Sequence, residues 1–157
     1  MQQQITTMST HLLAAAPVAQ TSVWTKIVPW ASQIIVALIL AQTLFFKFTY
    51  APETQVIFGN RGGRPAATAV GVVELVSAVL LLIPQTAAIG AGLSLLVISG
   101  AIFTHMTSLG LTIVDPATGE SDGGLLFGLA IIVALGSLVV LIYRWRELPG
   151  VGSLPAK

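Results

Sequence analysis

Cysteine is absent from the 157 residues of the chain. That excludes disulfide staples, dithiol redox chemistry, thiolate zinc sites and Cys-ligated iron–sulfur clusters. Charge is nearly as scarce. Asp, Glu, Lys and Arg make up 8% of the residues, against about 25% in a typical soluble domain. Seven Lys and Arg against six Asp and Glu leave a net charge of +1, so nucleic acid has no electrostatic footprint to bind. What is present instead is apolar: 55% of the residues are hydrophobic and the mean hydropathy is +0.90. A surface of that character does not stay dispersed in water. A soluble enzyme is excluded, and the chain reads as one domain in lipid.

Four apolar segments stand out, each close to the roughly 20 residues that a spanning helix needs. The first, Ile27 to Phe46, carries no charge. The second, Ala66 to Ile83, is interrupted by Glu74; the third runs from Thr86 through Phe103 and past His105 toward Leu111; the fourth runs uncharged from Gly124 to Tyr143. All faces of each segment are apolar, which fits membrane helices better than amphipathic ones. The fold expected is all-α: an integral membrane four-helix bundle with antiparallel up-down topology. Its spans are placed at about 27–48, 66–83, 86–110 and 123–144 within a domain of 24–147. Residues 1–23, which include His11, read as a partly disordered tail without the basic start and long apolar core of a signal peptide. Residues 148–157 form a C-terminal tail.

Pro84-Gln85 leaves room only for a tight hairpin between the second and third spans. About 15 residues join the first and second, near the limit for an unstructured loop, and they include the glycine-rich NRGGRP with Arg61 and Arg64. The last connection, VDPATGESDGG, is acidic. Lys26, Arg144, Arg146 and Lys157 lie on the side of the termini, Arg61 and Arg64 on the other, with Lys47 at the lipid boundary there. The positive-inside rule then puts both termini in the cytoplasm of a plasma (inner) membrane. Trp24, Trp30, Tyr143 and Trp145 mark one interface, and Phe45, Phe46, Phe48 and Tyr50 the other. Small residues four apart (Ala67/Gly71, Ala88/Gly92, Gly100/Thr104, Gly124/Gly128) are expected to let helices approach closely. Gln33 and Gln42 are expected to hydrogen-bond between helices.

The ionisable residues in these runs are the informative ones. A carboxylate near mid-bilayer costs about 2.5–3.5 kcal/mol even on a lenient scale. Glu74 lies eight residues past Ala66, about 12 Å into the bilayer at 1.5 Å per residue. It either holds a proton or pairs with a cation. Lys47 and His105 are the candidate cations. Counted from Thr86, His105 is about 28 Å along its helix and so near the outer surface unless that helix is tilted. With Asp122 at the entrance to the fourth span, one ionisable residue per helix falls in the same half of the bundle: Lys47, Glu74, His105 and Asp122. Each has a plainer reading. Lys47 can snorkel to headgroups, His105 can sit at a helix C-terminus, and Asp122 can cap a helix.

The patterns FFKF, GVVELVSAVLLLIP, GAIFTHMTSLG and DGGLLFGLAIIVAL, over about residues 30–145, resemble the DoxX family of small bacterial and archaeal membrane proteins. The resemblance implies a four-helix membrane protein with Lys47, Glu74 and His105 at the matching polar positions. It also implies a link to membrane redox assemblies. The function expected on that basis is an accessory or quinone-interacting subunit, not catalytic alone, with no intrinsic cofactor beyond a quinone and no metal. Its partners would be membrane lipids, a redox protein or larger complex, and a second copy of itself. Glu74 would accept protons beside Lys47 or His105. An intramembrane lipid- or amphiphile-binding protein, a structural subunit and a small proton-coupled exporter are the alternatives.

Overall fold

A computed structural model describes residues 23–115 and 118–148. The expected tails, with His11 and Lys157, lie outside the described residues apart from Val23 and Leu148. Five α-helices form: α1 (Trp24–Thr49), the short α2 (Pro52–Phe58), α3 (Gly63–Leu82), α4 (Ala87–Thr104) and α5 (Leu125–Arg144). Among the described residues there is no strand, only an isolated antiparallel bridge from Val114 to Ser121. The four long helices pack in a closed ring, α1 on α3, α3 on α4, α4 on α5 and α5 back on α1. Each is long and apolar enough to cross a membrane. The chain is an all-α, antiparallel four-helix membrane bundle.

Its outside is as apolar as its inside. Leu38, Leu96, Leu135 and Ile142 are all at least 60% exposed, which is tolerable only where the surroundings are hydrocarbon. Inside, Val36, Leu40, Leu81, Val133 and Val140 are fully buried. Ser94 of α4 and Ser137 of α5 are buried too, and Ser137 Oγ lies 2.9 Å from Ser94 Oγ in an interhelical hydrogen bond. At the terminal end the Arg144 guanidinium stands 5.7 Å from the Trp30 ring, and its Nη1 donates to the Pro84 carbonyl. Those contacts tie α1, α5 and the α3–α4 turn together.

The small-residue spacing is half right. Gly71 abuts α1, where an added Cβ would lie 3.1 Å from the Phe48 ring, and Ala67 and Ala88 are buried. Beside Gly92, Gly100 and Gly128, however, an added Cβ would meet nothing within 4 Å. The close approaches are at Gly90 and Gly136 instead. A Cβ on Gly90 would stand 2.6 Å from the Leu81 nitrogen, and one on Gly136 would stand 2.6 Å from Val36 Cγ2. The glutamines also depart from expectation. Gln33 is fully buried, yet among the described residues neither amide atom has a hydrogen-bond partner, a burden of about 1–3 kcal/mol. Gln42 is exposed, on the side of α1 that borders α5.

The first connection is not an unstructured loop. Tyr50 adopts the left-handed conformation (φ 57°, ψ 47°), and the Ala51 N–H closes onto the Phe46 carbonyl at 3.0 Å. Pro52 then opens α2 at a position that suits its fixed φ and missing N–H. Buried Thr54 donates to the Phe46 carbonyl at 3.0 Å and folds α2 back over the end of the bundle. The NRGGRP stretch is a turn leading into α3, with Gly62 at φ 92° and Gly63 at φ 60°. Arg64 there is exposed, and its Nη2 lies 3.4 Å from the Phe48 carbonyl oxygen.

Candidate functional site

The site is built on the ends of the helices away from the termini. Lys47 stands in the last turn of α1, and Glu74 stands just past the middle of the 20-residue α3. Gly71, one turn before Glu74, lets α3 approach so closely that its missing Cβ would lie 3.5 Å from Lys47 Cβ. The two side chains meet in an ion pair, Nζ to Oε2 2.9 Å, with 15% and 5% of their side chains exposed. Thr43 Oγ1, one turn before Lys47 on α1, lies 3.1 Å from the same Oε2 and 2.8 Å from the Leu40 carbonyl. A buried ion pair recovers its desolvation cost only with good geometry and further hydrogen bonds. Glu74 has both.

His105, at the far end of α4, is buried within the bundle and only 4% exposed. The helix widens into a π-turn over His105–Leu109, and Gly110 leaves it at φ 80°. Single-turn π-helical segments of this kind occur frequently at functional sites. The turn brings His105 Nδ1 to 2.9 Å from the Gly110 carbonyl and sets the ring 5.5 Å from that of Phe127. A carbonyl only accepts, so Nδ1 carries the hydrogen. In the neutral ring Nε2 is then the acceptor.

Asp122 has a different task. Oδ1 accepts from the N–H groups of Ile113 (2.7 Å) and Gly124 (3.0 Å), and Oδ2 from Leu126 in the first turn of α5 (3.1 Å). Among the described residues it makes no hydrogen bond or ion pair to Lys47, Glu74 or His105. Its carboxylate holds the acidic loop closed and caps α5. Burial pushes its pKa up, but the three N–H groups outweigh that and hold it below the ordinary 3.8. A depressed folded-state pKa contributes stability that is present above the unfolded value and lost as pH falls through the folded one. Asp122→Asn should therefore unfold more easily than wild type at pH 7, by about 1–2 kcal/mol, because its amide nitrogen cannot accept from the Leu126 N–H, and the gap should narrow as the pH falls below about 4. Detergent-unfolding midpoints of both chains from pH 7 to pH 3 measure this. A gap as wide at pH 3 as at pH 7 would rule out the carboxylate as its source.

Three cavities of about 350, 160 and 80 Å³ surround the ion pair, and Lys47 and Ile57 line all of them. The largest opens between α3 and α4. It has Lys47, Glu74, Thr104, His105 and Arg61 among otherwise apolar walls, with Ile57 and Phe58 of α2 above. The smallest lies on the bundle axis and is lined from all four long helices, with Glu74 and His105 among its residues. The third lies between α1 and α5, where Gln42, Glu53 and Asp122 face it. Of the sequence-selected residues, Lys47, Glu74, His105 and Arg61 share one cavity. Asp122 reaches only the neighbouring one, and Arg64 lines none of the three. Sequence reasoning missed Thr43, α2 and its Ile57 and Phe58. Pro52-Glu53, a helix-opening pair, was the signal for α2.

Ion pair, apolar walls and a few converging polar groups are the usual make-up of a small-molecule site. The arrangement can receive one polar head and one apolar body. No family model matches the chain, and neither a curated protein nor a solved structure matches it.

Proposed function

We propose that the chain is a DoxX-like integral membrane protein of the bacterial inner membrane that binds a small amphiphile within its bundle, both termini facing the cytoplasm. The observation that carries this reading is the Lys47–Glu74 pair, buried in the membrane domain and lining all but one of the adjoining cavities whose other walls are mostly apolar. Lipid exacts a cost for such a pair, and recognition of a polar head offsets it.

A second reading, in which the amphiphile is a quinone and the chain an accessory subunit of a redox assembly, is favoured by the hydrogen-bonding set. Lys47 offers donors to a quinone carbonyl, while Glu74 and the His105 Nε2 offer acceptors to a quinol hydroxyl. One cavity thus suits both oxidation states. With no cysteine in the chain, electrons would pass between the quinone and a partner protein.

Native mass spectrometry of the protein gently extracted from its own membrane, with lipid extraction alongside, tests both. A stoichiometric quinone with a redox partner selects the accessory-subunit reading. A stoichiometric amphiphile without a partner selects the simpler one. Ligand content that is the same for wild type and Glu74→Gln would rule out the ion pair as the binding element.

A further inference from the structure

Charge at the largest cavity is unbalanced. Lys47 and Glu74 neutralise one another at 2.9 Å. Arg61, from the turn between α2 and α3, is an exposed residue that lines the same 350 Å³ space. Its Nη1 donates to the Ile57 carbonyl at 3.0 Å, and among the described residues no carboxylate pairs with it. With His105 counted as neutral, one positive charge is left over at the mouth. Behind it the walls include Val70, Leu96 and Val97. Gly100 keeps the opening clear, with nothing within 4 Å of where its Cβ would stand.

A guanidinium with free donors presents a planar fork that suits carboxylate or phosphate oxygens. The volume is at the low end of the roughly 300–1,000 Å³ of small-molecule sites, which suits one hydrocarbon chain rather than the two of a membrane phospholipid. We propose that the cavity between α3 and α4 takes a single-chain amphiphile with a singly charged anionic head, the head held by Arg61 and the chain lying along Val70, Leu96 and Val97. This rests on the amphiphile-binding reading above and adds the charge and chain number of the ligand.

The test uses the full chain in phosphatidylcholine nanodiscs, photolabelled with a diazirine-bearing palmitate, the labelled residues being located by mass spectrometry. Label is expected on the cavity walls of α3 and α4. Excess oleate should displace it about tenfold more effectively than oleyl alcohol, which has the same chain and no charge. In Arg61→Gln the two competitors should become equal, and Arg61→Lys should keep part of the preference. Gly100→Leu, grown into empty space, should abolish labelling while leaving helicity intact. Equal competition in wild type, or a preference unchanged in Arg61→Gln, overturns the anionic assignment and leaves amphiphile binding standing. Labelling lost when phosphatidylglycerol replaces phosphatidylcholine overturns the single-chain assignment in favour of a phospholipid head. If wild type with full helicity shows no cavity label at all, amphiphile binding itself fails.

Discussion

Lys47→Met should destabilise the folded chain by about 3–5 kcal/mol, the usual cost of leaving a buried charge without its partner. Its side chain is 15% exposed and that of Glu74 only 5%, so water cannot easily take over. Among the described residues Thr43 remains as the one other group within hydrogen-bonding distance of Glu74 Oε2, and a neutral hydroxyl does not replace an ammonium. The double variant Lys47→Met/Glu74→Leu should recover most of the loss, because buried ion pairs replaced by apolar side chains of similar volume are often neutral or stabilising. Reversible unfolding in mixed micelles titrated with dodecyl sulfate, followed by circular dichroism, compares the three chains. A single variant within about 1 kcal/mol of wild type would mean that Glu74 is not a buried carboxylate held by Lys47. A double variant as stable as wild type but empty of amphiphile would separate the two roles. The pair would then be retained for recognition rather than for holding the bundle together.

The bundle was legible because lipid leaves a strong trace in sequence. Runs such as Ile27 to Phe46 and Gly124 to Tyr143 have no charge to place, and they became α1 and α5. Glu74 was legible for the converse reason, a carboxylate where hydrocarbon disfavours one. Its partner was not. Lys47 and His105 were equal candidates along the chain, and the choice depends on how closely α1 and α3 cross, which Gly71 sets. Rise per residue puts His105 at the far end of its span but says nothing of burial, and there the ring is packed inside the bundle with its Nδ1 on the Gly110 carbonyl of the π-turn. Likewise, spacing along α1 could place Gln33 on an inward face but could not show that no partner waits there among the described residues. What sequence periodicity carries is direction about one axis. Contacts between axes are additional information, and the glycines show this most clearly.

Gly90→Ala should destabilise the bundle, and Gly92→Ala, two residues further along the same helix, should not. At Gly90 the added Cβ would stand 2.6 Å from the Leu81 nitrogen, 2.9 Å from the Leu80 carbonyl carbon and 2.9 Å from the Ser77 carbonyl oxygen. All three are backbone atoms of α3, so no side chain can swing away and the helices must part. Overpacking of this kind costs about 1–3 kcal/mol, against a gain of about 1 kcal/mol from helix propensity. At Gly92 the Cβ meets nothing within 4 Å, so only the propensity gain remains. The two variants should therefore differ by about 1–3 kcal/mol in dodecyl sulfate unfolding. Gly136→Ala supplies an internal check, because its clash, 2.6 Å to Val36 Cγ2, is with a side chain. Val36 is fully buried and stiff at χ1, so the single variant should be destabilised. Val36→Ala added to it should restore part of the loss, whereas no side-chain truncation on α3 should rescue Gly90→Ala. Equal stability for Gly90→Ala and Gly92→Ala would mean that α3 and α4 do not touch backbone to backbone. The cavity beside them, which opens between the same two helices, would then have to be redrawn.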